Sequence, residues 1–251
     1  MIFNNRGDES MERIRVIAFD ADDTLWVNEP IFRGVEADFV TLLEKYADPG
    51  TIRERLFAVE RENIGVFGYG VKGFLLSLIE TAAQVSQDRL SGGDIQKVIA
   101  LGKEMLASPV ELLDGVEAVL ENLCRNYTLM IITKGDLLDQ ESKIARSNLA
   151  PYFDRIEILS EKDEDAYGRV LATHGVAPGE FMMVGNSLRS DVLPVVNLGG
   201  HAVHVPFATT WEHEQVAVSA MDQSLWLTLA NLGELPPCLP RQAALSVSPL
   251  T

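Results

Sequence analysis

The sequence predicts an α/β protein, a doubly wound parallel sheet interrupted near its start by an all-helical insert. Three observations carry this. Short apolar runs alternate with segments of helical length after residue 110. Most of those runs are apolar at consecutive positions, as strands covered on both faces must be. Residues 28–109 show helical spacing and no convincing strand.

Taken in order, the runs are Val16 to Phe19, Thr128 to Ile132, Ile156 to Leu159, Phe181 to Val184 and Ala202 to Val205. Between them lie 115–127, 136–150, 163–176 and 188–200, each of helical length, with Asp114 and Ser187 as expected N-caps. Strand and helix in alternation imply right-handed crossovers and helices on both faces of the sheet. In the insert, Val35, Phe39, Leu42 and Tyr46 recur at helical spacing, as do Phe74, Leu78, Ile79 and Ala82. "DPG" at 48–50, "GYG" at 68–70 and "SGG" at 91–93 punctuate it into four helices. The organisation read from this is an α/β unit over 11–27 and 110–235, a helical unit over 28–109, and flexible tails at 1–10 and 236–251.

Composition bounds the function. With 251 residues, 47% hydrophobic and 23% charged, the chain suits one large globular domain carrying a smaller inserted one. Its net charge of -16 repels nucleic acid and anionic lipid, so neither is an expected partner. Cys124 and Cys238 are far apart and in no metal-ligand spacing, which argues against a disulfide framework or a zinc site. The polar opening "MIFNNRGDESMERIR" is unlike a signal peptide and no apolar run reaches membrane-spanning length, so a cytoplasmic location is expected. Met11 is a second candidate start.

The polar residues fall into a pattern once the strands are drawn. Asp20 and Asp22 follow the first strand, Thr133 and Lys134 the second, Lys162 the third, and Asn186 with Asp191 the fourth. These are carboxyl ends of parallel strands, where open α/β sheets bind ligands. Asp20, Asp22 and Asp23 stand so close that their charges must be relieved by a cation, a shared proton or water. A carboxylate can attack phosphorus to give an aspartyl-phosphate. Magnesium, held by hard oxygen ligands, offsets the repulsion between that carboxylate and a phosphate dianion. Thr133 and Lys162 are suited to hold the phosphate oxygens, and the neighbouring Lys134 either touches them too or is an exposed loop lysine. Asp22, two residues on, is placed to give the leaving oxygen a proton and then take one from water.

Together, Asp20-Ala-Asp22-Asp23-Thr24-Leu25, Thr133, Lys162 with its "DED", and "GNSLRSD" at 185–191 resemble the four motifs of the haloacid dehalogenase-like (HAD) hydrolase superfamily. The resemblance spans roughly residues 15–207, and the insert is similar to the cap of its C1-capped members. It implies a Rossmann-like core with a helical cap. It implies further that Asp20 is the nucleophile and that Asp22 is the general acid and base, offering its backbone carbonyl to magnesium. Thr133 and Lys162 match phosphate-binding positions. Asp20, Asp22, Asn186 and Asp191 would be the metal ligands, with Asn186 where Asp is commoner. Dehalogenating members lack a carboxylate at the position of Asp22, so the resemblance favours a phosphatase acting on a small phosphorylated metabolite. The alternatives are a sugar phosphomutase, a 2-haloacid dehalogenase, a receiver-like phosphoacceptor and a non-catalytic binding protein.

The remaining polar residues read as structural. Lys45 and Lys72 are expected to be solvated. His201 and His204 are expected to be satisfied structural histidines, and His174 to lie near a helix end. His213 is expected to face the cleft or solvent, and Trp26 to pack rather than to form part of a hinge or pocket wall. Glu161, Asp163, Glu164 and Asp165 mark a helix N-terminus.

Overall fold

The apolar run Val16–Phe19 forms strand β1, at the middle of a six-stranded sheet. The computed structural model describes residues 11–209 and 224–239. The other strands are β2 (Thr128–Lys134), β3 (Arg155–Leu159), β4 (Phe181–Gly185), β5 (His201–His204) and β6 (Trp226–Thr228), in the spatial order β3-β2-β1-β4-β5-β6. Pairs β1–β2, β1–β4, β4–β5 and β5–β6 are parallel. The chain builds outward from β1 to β3 on one side and from β4 to β6 on the other. Strand order therefore reverses between β1 and β4, the place where such sheets open a ligand crevice.

Side-chain alternation explains the consecutive apolar runs. Val16, Ala18, Met130, Ile132, Phe181 and Met183 pack together with Tyr167, Val170, Leu171 and Val195. The intervening Ile17, Phe19, Leu129, Ile131, Met182 and Val184 are just as completely buried. Both faces of the sheet are thus covered. The edge strand β3 is only partly buried, and Ile156 on it is exposed. β5 begins at His201, one residue before the expected Ala202, and β6 was not foreseen. Its three residues pair with Ala202, Val203 and His204.

The segment 28–109 contains four helices, α1 (Glu29–Leu43), α2 (Pro49–Phe67), α3 (Val71–Ser86) and α4 (Gly92–Ala107). Asp48 caps α2 by accepting from the Thr51 N–H at 3.0 Å, and Pro49 occupies the first turn, where its missing N–H costs nothing. Ser91 caps α4 through the Asp94 N–H at 3.1 Å. Gly68 and Gly70 have φ of +74° and +100°, values that bulkier residues resist, and they turn the chain from α2 into α3. The expected stripes meet in one core: Val35, Phe39, Phe74, Leu78 and Ala82 are buried, with Leu42, Tyr46 and Ile79 packed against them.

The remaining helices are α5 (Val116–Leu123), α6 (Leu137–Ser147), α7 (Glu164–His174), α8 (Leu193–Asn197) and α9 (Leu235–Cys238). Asp114 is not the cap of α5. The chain enters that helix through left-handed Gly115, φ +78°, which leaves Asp114 one residue outside the cap position. Ser187 does cap its turn, accepting from the Ser190 N–H at 3.0 Å. The expected helix over 188–200 splits into a wide π-helical turn, Leu188–Val192, followed by α8. Pro194 explains the split. It has no N–H to offer the Ser190 carbonyl four residues back, and the Tyr167 hydroxyl donates to that carbonyl instead, at 3.0 Å. Residues 236–238, expected to open a tail, lie in α9 behind the buried Leu235. Residues 1–10 and 240–251 lie outside the described residues, as does His213.

By packing, the chain divides into two units. One comprises 11–27, 111–133 and the described residues from 147 on; the other comprises 28–110 and 134–146, and so includes α6. Among the described residues no helix is long and apolar enough to cross a membrane.

Candidate active site

The chain leaves β1 in a tight turn, with the Leu25 N–H donating to the Ala21 carbonyl at 2.8 Å and Asp23 at φ +61°. Short polar residues such as Asp tolerate that conformation best. The turn brings Thr24 over Asp20, and its hydroxyl donates to Asp20 Oδ2 at 3.2 Å. The Asp20 N–H bonds the Val184 carbonyl at 2.9 Å, so the first residue past β1 is tied to the end of β4.

Past β4, the chain supplies Asn186 and Asp191. Asn186 Oδ1 lies 3.5 Å from the Thr24 hydroxyl. The π-helical turn carries Asp191 back toward the strand end. There it is fully buried and accepts from the Ser187 N–H at 2.9 Å. Gly185 makes room for it, since a Cβ at that position would overlap the Asp191 carboxylate. From the end of β3, Lys162 completes the group. Its ammonium lies 2.5 Å from Asp20 Oδ1 and 2.7 Å from Asp191 Oδ1. Asp163 caps α7 through the Ala166 N–H at 2.8 Å, with Glu164 and Asp165 in its first turn, as the acidic run predicts.

Burial pushes Asp20 up to about 7, with the Asp191 carboxylate adding to the shift and Lys162 opposing it. Burial alone would lower Lys162, but the carboxylates of Asp191 and Asp20 outweigh it and hold the lysine above its ordinary value. Two carboxylates share one ammonium, so with both ionised the buried cluster carries one net negative charge.

The other expected residues make contacts of their own. Asp22 is half-buried and accepts a 2.7 Å hydrogen bond at Oδ1 from the Trp26 indole N–H. Trp26 is therefore more than packing. Thr133 is buried near the end of β2, two residues beyond Ile131, the register partner of Phe19. Lys134 packs with the second unit, its ammonium 4.2 Å from the Tyr69 ring centroid. Lys45 pairs with Asp94 at 2.8 Å and Lys72 with Asp136 at 2.9 Å. His204 Nε2 is 3.1 Å from the Asn186 carbonyl, and burial lowers its pKa. His174, in the last turn of α7, pairs with Glu157 at 2.6 Å. His201 departs from expectation: it is buried, and its Nδ1 has no partner among the described residues.

Thr24, Trp26 and Gly185, which contact or make room for these residues, are positions to which residue-by-residue reading assigns no part in the site. Thr24 and Gly185 lie inside the quoted motifs, which is the one signal that marks them.

The cluster offers the Asp20 and Asp191 carboxylates and the neutral Asn186 oxygen, all hard ligands, and retains a negative charge. Among the described residues no group of three His, Cys, Asp or Glu side chains gathers to hold a metal. A cation placed here would rest on two carboxylates and neutral oxygens, a set that would suit magnesium, which keeps several waters, better than zinc.

Known proteins match this chain along most of its length. A family model for haloacid dehalogenase-like hydrolases matches residues 14–199. The N-acylneuraminate-9-phosphatase of Mus musculus is 27% identical over 203 residues, covering 75% of this chain and 81% of that protein. The glyceraldehyde 3-phosphate phosphatase of Pyrococcus furiosus is 25% identical over 197 residues, covering 75% and 79%. The solved structure of a haloacid dehalogenase-like family hydrolase from Xanthomonas campestris has a TM-score of 0.81 and 40% identity, covering 90% of each chain. The 2-haloacid dehalogenase of Pseudomonas syringae pv. Tomato has a TM-score of 0.60 at 21% identity over 90% of this chain and 97% of that one, a likeness of fold alone.

Proposed function

Because the chain belongs to the haloacid dehalogenase-like hydrolases and is a phosphatase by its curated relatives, we propose that it hydrolyses small phosphomonoesters through an aspartyl-phosphate on Asp20, with magnesium as cofactor. The observation that carries this reading is the buried Lys162 ammonium joining Asp20 and Asp191 at 2.5 and 2.7 Å. A nucleophilic carboxylate must be fixed and kept from its neighbour's charge, and this contact does both.

In the first step Asp20 attacks phosphorus. The bond to the leaving oxygen breaks, its electron pair stays with that oxygen, and Asp22 supplies the proton. Thr133 and Lys162, with Lys134, hold the phosphate oxygens as charge redistributes. In the second step Asp22 takes a proton from water, which attacks the aspartyl-phosphate and returns Asp20 with release of inorganic phosphate. Asp20, Asn186, Asp191 and the Asp22 backbone carbonyl would hold magnesium, whose positive charge favours ionised Asp20 and offsets its repulsion of the phosphate. A carboxylate at Asp22 favours ester hydrolysis over carbon–halogen cleavage, since halide leaves without a proton. We further assign residues 28–109 the part of a cap that excludes water and sets selectivity, and place the enzyme in the cytoplasm.

The test is Asp20→Asn, nearly isosteric and unable to attack. Phosphate release from p-nitrophenyl phosphate should fall at least about a thousandfold with the fold intact by circular dichroism. Activity within about tenfold of the parent would remove Asp20 from the role.

A further inference from the structure

Asp22 does not stand alone after β1. The Trp26 indole donates to its Oδ1 at 2.7 Å, and Trp26 itself is completely buried. The backbone on either side is fastened. The Asp23 N–H bonds the Trp26 carbonyl at 2.7 Å, the Leu113 N–H bonds the Leu25 carbonyl at 2.9 Å, and the Val27 N–H bonds the Glu111 carbonyl at 2.9 Å. Trp26 is thereby laced antiparallel against Leu112. A ring held on its backbone and by full burial cannot swing away from the carboxyl it meets.

An indole N–H donates and cannot accept. In the acid form of a carboxyl, the carbonyl-type oxygen is the better acceptor, so the oxygen facing the indole stays unprotonated. We infer that Trp26 is a positioning residue for the reaction. Its N–H fixes the Asp22 side chain and confines the exchangeable proton to Oδ2, the oxygen that serves the leaving group and then the water. The inference rests on the reading of Asp22 as general acid and base. The proton on Oδ2 passes to the leaving oxygen as the phosphorus–oxygen bond breaks, and Oδ2 later accepts one from water. Throughout, Oδ1 keeps its bond to the indole.

The experiment measures the phosphorylation step in single turnover with a primary alkyl phosphate, whose leaving group needs a proton, and with p-nitrophenyl phosphate, whose leaving group needs little. Trp26→Phe should slow the alkyl substrate about tenfold more than the nitrophenyl one, and in an Asp22→Asn background it should add less than about twofold. Equal losses on both substrates, or the same loss with Asp22 already replaced, would reduce Trp26 to packing. Phe leaves a cavity, so Trp26 is also replaced site-specifically by benzothienylalanine, which keeps the ring's shape and lacks the N–H. It should reproduce the tenfold discrimination, and its absence there overturns the inference. Asp22→Asn alone separates the two failures. If it shows no dependence on the leaving group, the role of Asp22 falls and this inference with it. If it does show that dependence while both Trp26 variants do not, the Trp26 inference alone fails.

Discussion

Gly185→Ala puts one methyl group where the Asp191 carboxylate sits. The backbone at 185 is an ordinary strand with no left-handed φ, so a collision with that side chain is the whole obstacle. Rotation alone does not clear Asp191, because its Cβ would lie 2.7 Å from the methyl, so the turn that carries it must shift and it loses the 2.9 Å bond from the Ser187 N–H and the 2.7 Å contact with Lys162. Hydrogen bonds to charged groups contribute about 1.5 to 3 kcal/mol each, and partial recovery elsewhere leaves a cost of roughly 3 kcal/mol. For a protein of this size that is a fall in Tm of about 6 to 12 °C. Urea titrations of the parent, Gly185→Ala, Asp191→Gly and the double variant check the cause as well as the size. Only removal of the whole Asp191 side chain, whose Cβ would itself lie 2.7 Å from the new methyl, opens the space, so Gly185→Ala should cost less than about 0.5 kcal/mol in the Asp191→Gly background. A loss that is the same in both backgrounds, or a single variant as stable as the parent, would refute the steric argument.

Asn186→Asp adds a third formal charge to the ligand set. It should lower the magnesium concentration for half-maximal activity about tenfold, on the order of 1.4 kcal/mol, and Asn186→Ala should raise it. Identical magnesium titrations of the three proteins would mean Asn186 is not a ligand. Burial holds His201 below its ordinary pKa of 6.5, so the unfolded chain takes up that proton first. Stability should therefore fall as pH drops below about 6.5, by up to about 1.4 kcal/mol per unit for this group. His201→Phe should remove that increment, and unchanged slopes in urea titrations between about pH 7 and about pH 5.5 would count against it. Replacing 28–109 with a short linker should flatten selectivity across a panel of phosphate esters while Asp20 still accepts phosphate. Unchanged selectivity in a folded, active truncation would place specificity elsewhere.

The sheet was legible because strands buried on both faces write themselves as unbroken apolar runs, and the strand ends then lined up the acidic and basic residues. The cluster of Asp20, Lys162 and Asp191 joins positions 142 and 29 residues apart, yet all three sit where the fold class says ligands bind. What stayed hidden depends on particular contacts. Nothing in a local window says that Gly185 is small because Asp191 lies against it. Nor does a window show that Trp26 bonds Asp22, or that Pro194 with Tyr167 widens a turn. β6 escaped notice because three residues are too few for a period to declare itself. Asp114 was misjudged as a cap because an Asp–Gly pair signals a turn without saying which residue the helix starts from. His201 was expected to be satisfied, and only the packing reveals a ring nitrogen with no partner among the described residues.

The wide turn before Pro194 sets a conflict for anyone who would engineer this protein for robustness. By helix propensity, Ala in place of that proline is the obvious improvement, worth as much as about 3 kcal/mol in a regular helix. It would also restore an N–H able to compete with the Tyr167 hydroxyl for the Ser190 carbonyl. Regular winding advances about 100° per residue, so drawing the extra residue of the turn into register would swing Asp191 away from Lys162. A substitution chosen on helix propensity alone would thus forfeit the Asp191 contacts, whose loss costs roughly as much as the propensity promises, so the proline that looks like a flaw in the helix holds the cluster together.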